Sequence, residues 1–213
     1  MFSKTKTVNY LFTKLSLISV LPILLLVLDS CDEVSTNNIK YYAEYLLEND
    51  GYLLWTDSTK INVHGIKTKS NNGKFRLTNK FILFWKSNDQ FSFELINAFD
   101  KNDSYVDFDY APYDSLYKIL FVELANIKFD FFEYEARKFR KYLLEENFKT
   151  EREFIEGMVN ERITSANQEW KEIQNKIFDN YDTKTMKFYG SNIKLKLDSL
   201  QKYDSKVNFQ FDM

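Results

Sequence analysis

The strongest constraint on this chain is a helical stripe with little room to turn around. Val159, Ile163, Ala166, Trp170, Ile173 and Ile177 recur at intervals of 4, 3, 4, 3 and 4 residues, the spacing that aligns one face of an α-helix. Upstream, Pro112 stands where a first helical turn tolerates it, and Leu116, Leu120, Leu124 and Ile127 lead at helical spacing into Phe132, Ala136, Phe139 and Leu143. This pattern predicts one long or broken helix over 113–146. A second helix is expected to open at the capping-box spacing of Thr150 and Glu153. Only Asn147-Phe148-Lys149 lies between them, so the two must fold back as an antiparallel hairpin.

On either side of the hairpin the period drops to two. Tyr52–Thr56 and Ile61-Asn62-Val63-His64 read as strands around the turn-like Asp57-Ser58-Thr59. Asn71-Asn72-Gly73 is a strong turn signal ahead of Phe75-Arg76-Leu77. Phe81-Ile82-Leu83-Phe84-Trp85 is apolar on both faces, which marks a central strand. Phe91, Phe93 and Leu95 alternate with Ser92 and Glu94, and Val106, Phe108 and Tyr110 alternate with Asp107 and Asp109, as in strands with one buried face. Ile193, Leu195 and Leu197 alternate with Lys194 and Lys196, and Val207, Phe209 and Phe211 with Asn208 and Gln210, which predicts a final pair of strands. Ile39, Tyr42, Ala43, Leu46 and Leu47 form a short amphipathic helix ahead of Gly51. The expected class is α+β: an antiparallel β-sheet with an N-terminal short helix and a long antiparallel helical hairpin packed on it, as a single domain over 39–213.

Residues 1–14 carry Lys4, Lys6 and Lys14 and no acidic residue, and an apolar run follows from Leu15 to Leu28, broken only by Ser16, Ser19 and Pro22. These are the n-region and h-region of a signal peptide. The run of fourteen residues is shorter than the roughly 20 that span a bilayer. It ends in Leu28-Asp29-Ser30-Cys31, which resembles the lipobox of bacterial lipoproteins, with Asp29 where that family usually has a small or aliphatic residue. The resemblance covers four residues. It implies a signal peptide over 1–30 cleaved after Ser30, lipidation of the Cys31 thiol, acylation of the new amino terminus, and a short tether over 31–38. Cys31 is the chain's only cysteine, so no intramolecular disulfide competes for it. At about 0.8 kcal/mol per buried methylene, two or three acyl chains hold a domain on a membrane. Asp32 and Glu33 resemble sorting signals of two kinds, one for inner-membrane retention and one for surface display.

Chemistry-bearing motifs are sparse. His64 is the only histidine, which removes His-cluster metal sites, and it reads as a solvated strand residue. Asp100, Asn102, Asp103, Asp107 and Asp109 form one oxygen-rich segment, yet Tyr105 stands where an EF-hand loop needs glycine and Ala111 where it needs Glu. Glu133 with Glu135, and Glu145 with Glu146, sit beside Lys or Arg and read as solvated helix faces. The five glycines form no phosphate loop, and no serine stands in a nucleophile elbow. No cofactor and no metal are expected.

Loss of residues 1–30 removes three lysines and Asp29 and takes the formal charge from −2 to −4, which gives no electrostatic footing for nucleic acid. The expectation is a lipid-anchored bacterial envelope protein that binds a protein or an envelope polymer, with an immunity-type role as one version. A carboxylate-dependent glycan or peptidoglycan hydrolase is the alternative from another class. A structural lipoprotein that self-associates through the Val159–Ile177 stripe is a third. The partner surface is sought first at Asp103, Tyr105, Asp107 and Asp109 and on the exposed side of the hairpin.

Overall fold

The computed structural model describes residues 47–86, 91–107, 109, 115–146, 152–180, 183–204 and 209–211. All of them belong to one compact unit, 43–213. Its spine is the helix α1, Ser115–Glu145, 31 residues long. Phe121, Leu124, Ile127, Phe129, Phe131, Phe132, Phe139 and Leu143 are buried along it, as are Glu133, Arg137 and Arg140, so most of its circumference is covered.

The helix α2, Arg152–Asn180, runs back antiparallel to α1 as the hairpin pattern predicts. Phe131 meets Trp170 with ring centroids 5.7 Å apart, and Arg162 reaches Glu135. A third helix, α3 (Thr183–Asp198), then turns parallel to α1. Gly190 faces Ile127 early in this contact, and the Leu197 carbonyl accepts from Arg137 Nη1 at 3.0 Å late in it.

Among the described residues the strands are β1 (Tyr52–Leu54), β2 (Lys67–Thr68), β3 (Phe75–Arg76), β4 (Asn79–Lys86), β5 (Phe91–Asp100), β6 (Tyr105–Val106) and β7 (Phe209–Phe211). The main sheet is antiparallel and centred on β5. Its ladder with β4 runs from Asn79↔Phe99 to Lys86↔Ser92, while β1 pairs with residues 98–100 and β7 with residues 91–93. A small second sheet places β6 between β2, parallel to it, and β3, antiparallel. The turn before β3 forms as expected, with Asn72 at φ 53° and Gly73 at φ 75°.

One face of the main sheet packs on α1. Phe81 meets Phe132 at 5.9 Å and Phe99 meets Phe129 at 6.3 Å between ring centroids. The opposite face carries a second apolar cluster of Leu54, Ile96 and Ala98, with Leu47, Tyr52 and Ile82 against it. In β4, Phe81 is buried against α1 and Ile82 is half-buried against the second cluster, so the apolar run that had suggested a central position has cover on both faces. β5 takes that position instead, and it too is buried on both faces, with Phe93, Leu95 and Phe99 on one and Glu94, Ile96 and Ala98 on the other.

Two expected strands are something else. Ile61–His64 gives way to a 3-10 turn at Val63–Gly65, because the Asn62 side chain accepts from the backbone N–H groups of His64 and Gly65 and offers the chain a local alternative to a ladder. Ile193–Leu197 lies within α3. Met186, Ile193 and Leu197 recur at helical spacing and are the buried residues of that helix, whereas Leu195, which the alternation grouped with them, is 68% exposed. Of the expected N-terminal helix only Leu47 lies within the described residues, at the start of a helical stretch over 47–49. The leader, Ser30, Cys31 and the tether lie outside them, as do Phe108 and Tyr110.

The helical assignment of 193–197 makes a distinctive prediction. Ile193→Ala should cost about 2–5 kcal/mol in denaturant unfolding, whereas Leu195→Ala should stay within about 0.5 kcal/mol. A strand would make the two costs similar.

Candidate functional site

The two carboxylates Glu133 and Glu135, expected on a solvated face, are completely buried. The reason is the position of α1 between the sheet, α2 and α3. Both keep the cationic neighbours that the sequence suggested. Glu133 Oε1 accepts from Arg140 Nη1 at 2.8 Å and from Arg137 Nε at 3.2 Å. Arg140 also donates to the Leu95 carbonyl through Nε (2.9 Å) and Nη2 (2.8 Å), and to the Tyr203 carbonyl at 3.0 Å. Arg137 lies over the Trp55 ring at 5.0 Å, and Trp55 Nε1 donates to Asp130 at 3.0 Å. Glu135 takes Lys138 at 2.9 Å and Arg162 of α2. By contrast, Glu145 and Glu146 are exposed, as their helix-face reading requires.

Lys128 is the buried cation with a different partner set. Its Nζ donates to the Leu77 carbonyl and lies 5.2 Å from the Phe132 ring centre and 6.0 Å from that of Trp170. Burial pushes its pKa down to about 8.

The oxygen-rich segment turns out to be internal scaffolding for the most part. Asp107 is buried, and its Oδ2 accepts from the backbone N–H of Asn71 at 2.8 Å and of Gly73 at 3.1 Å, which fastens the 71–73 turn. These amides hold its carboxyl below the usual carboxylate range. Asp100 caps its own turn through the N–H groups of Asn102 and Asp103, both at 2.9 Å, and pairs with Lys80 at 2.6 Å. Burial raises the Asp100 carboxyl, but the Lys80 hydrogen bond and the turn amides outweigh it, for a net lowering. Asp103 pairs on the surface with Arg76 at 3.1 Å. Tyr105 is half-buried and its hydroxyl accepts from Asn71 Nδ2 at 2.9 Å, and Asp109 is exposed. So Asp103 and Asp109 are exposed, Tyr105 is half-buried and Asp107 faces inward. His64 is exposed on the 3-10 turn. Among the described residues, no group of three or more His, Cys, Asp or Glu could hold a metal ion.

The better candidate site lies on the exposed side of the hairpin, which the sequence reading singled out without naming its residues. Tyr134, Lys138 and Tyr142 follow one another at i, i+4 and i+8 along the open side of α1, and grooves flank them. Toward α3 a groove open to solvent is floored by Phe131, Ile173 and Ile193 and rimmed by Glu169, Asn192, Leu195 and Lys196. Toward the start of α2 a second groove is lined by Tyr142, Met158, Glu161, Arg162 and Ser165. Lys138 borders both. Two ammonium groups approach the Tyr134 ring, Lys138 at 5.1 Å and Lys196 at 5.6 Å from its centre. Beside them the Lys138–Glu135–Arg162 cluster carries one net positive charge between α1 and α2. Apolar floor, aromatic wall and cationic rim are the ingredients of a recognition groove. The legible signal was the i, i+4, i+8 stripe, which a core-packing reading absorbs.

No protein-family model matches the chain, and no significant match was found among curated proteins or solved structures. The site therefore speaks through its geometry alone.

Two consequences are measurable. Arg140→Met should destabilise the fold by about 3–5 kcal/mol, since it strips a buried carboxylate and two carbonyls of a guanidinium. Lys141→Met, which breaks the exposed pair with Glu145 at 3.9 Å, should cost less than about 1 kcal/mol. Lys128 is charged in both states below pH 8; between about 8 and 10.5 only the unfolded chain retains its proton, so stability rises with pH across that window. In chemical denaturation, wild type should gain on the order of 2–3 kcal/mol relative to Lys128→Met between the two ends. An unchanged difference between the proteins would remove the case for a depressed amine.

Proposed function

We propose that this chain is a lipid-anchored protein of a bacterial envelope whose domain works by binding rather than by catalysis. The observation that carries the reading is Leu28-Asp29-Ser30-Cys31 at the end of a basic, then apolar, leader. In this reading Ser30 is the last residue removed and acyl chains on Cys31 hold the domain at the membrane. No helix among the described residues is long and apolar enough to cross one.

Support for binding comes from how the carboxylates are used. Glycan hydrolysis through a carboxylate pair needs two carboxyl groups about 5–10 Å apart across a cleft that admits substrate. Glu133 and Glu135 are committed to arginine and lysine at zero exposure, and Asp100 and Asp107 to Lys80 and turn amides. The groove along Tyr134, Lys138 and Tyr142 offers aromatic faces and cationic donors to a protein or envelope polymer instead.

The test is metabolic labelling with a fatty acid, comparing the full-length protein with Cys31→Ala and following both by membrane fractionation. Label and membrane retention in the wild type, with label absent from Cys31→Ala, is the expected result. Equal labelling of the two, or none in either, would overturn the lipid anchor.

A further inference from the structure

The helix α3 has two apolar faces. Met186, Ile193 and Leu197 turn one of them into the core. On the side opposite, at 3.6 residues per turn, stand Phe188, 60% exposed, and Leu195, 68% exposed. They lie two turns apart along the outer crest. A helix held in place by its inner face has no need of large apolar side chains there, and both give up favourable burial.

Charge singles out the same crest. The 16 residues of α3 include Lys184, Lys187, Lys194 and Lys196 and one acidic residue, Asp198, in a chain whose formal charge is −2. All four lysines are exposed. Lys184 sits on the crest itself, Lys187 and Lys194 flank it on one side, and Lys196 flanks it on the other beside Tyr134. An apolar ridge bordered by lysines matches a surface with negative charge above and hydrocarbon beneath. The ammonium groups reach anionic headgroups while Phe188 and Leu195 enter the layer below, and the lysine stems cover the boundary. An acidic polymer would satisfy the lysines and leave the two apolar side chains in water.

We propose that the outer face of α3, with Phe188 and Leu195 at its crest and Lys184, Lys187, Lys194 and Lys196 around them, docks on an anionic lipid bilayer. The proposal takes its membrane from the envelope reading above, but its chemistry does not involve Cys31. With such a face in contact, the domain lies against the bilayer in one orientation. The groove along Tyr134 and Lys138, which shares Lys196, then opens at the membrane's edge.

The experiment uses the full chain carrying Cys31→Ala, which abolishes acylation, and Ser191→Cys, which supplies a lone thiol on the exposed crest for an environment-sensitive fluorophore. Vesicles of phosphatidylcholine alone are compared with vesicles containing phosphatidylglycerol, with sedimentation in parallel to score any binding by the apolar leader. The expected result is a blue-shifted, enhanced signal on phosphatidylglycerol vesicles that salt reverses and neutral vesicles do not elicit. Each lysine near such a surface is worth about a fivefold change in partitioning, so adding Lys187→Gln and Lys194→Gln should weaken the response roughly 25-fold. Adding Phe188→Ser and Leu195→Ser should remove the blue shift, with unchanged circular dichroism reporting an intact fold. A probe that stays in water on vesicles with which the chain sediments would overturn the proposal. So would an equal response on neutral vesicles, or a response to polyglutamate and none to vesicles. Because this chain cannot be acylated, failure here is separate from failure of the fatty-acid label.

Discussion

The fold depends on pairing charge inside a helix that is covered over most of its circumference. Glu133, Arg137 and Arg140 sit on α1 at exposures of 0–1%, where an isolated charge costs several kcal/mol. They are tolerable because Glu133 pairs with both arginines, which also donate to distant parts of the chain: the Leu95 carbonyl of β5, the Leu197 carbonyl at the end of α3 and the Tyr203 carbonyl beyond it. Hydrophobic burial drives the helices and sheet together, and this network fixes how they fit. A shift of α1 by one turn, about 5.4 Å, would carry both guanidinium groups away from these carbonyls. Registration is thus set by polar atoms within an apolar core.

The same requirement explains which parts of the fold were legible in the sequence. The hairpin was legible because Val159–Ile177 and Leu116–Leu143 repeat at helical spacing over many turns, and a short link left one topology. The antiparallel sheet was legible from alternation and from Asn71-Asn72-Gly73. Alternation misled at Ile193–Leu197 because lysines at 194 and 196 satisfy both periods, and only the longer spacing back to Met186 separates them. Five residues are too few to distinguish a strand from a helix when one apolar residue is exposed. The apolar run in β4 reflected two covered faces, a condition that a position next to the centre of a sheet satisfies as well.

The candidate site was less legible, for a physical reason. Acidic residues catch the eye in a sequence, but a carboxylate serves equally well as a surface charge, a turn cap or half of a buried pair. Asp107 and Asp100 are caps, and Glu133 and Glu135 are buried pairs. Their roles are assigned by partners as far away in sequence as Arg162, 27 residues from Glu135. Tyr134 and Lys138 gain meaning only when α2 and α3 supply the walls of a groove around them. The helical period placed these two on one face; it could not say that the face would stay open.

Arg140 also bears on when the molecule can fold. Its guanidinium joins the carbonyls of Leu95 and Tyr203, positions on either side of the whole helical region. A growing chain that has not yet reached Tyr203 can form helices locally, yet it cannot close the core over its buried arginines. The contacts that complete the structure are therefore among the last to become available, and their long sequence separation slows the search for them. Synthesis therefore delivers the Tyr203 acceptor only after all three helices have emerged, and one side chain of α1 then ties it to β5.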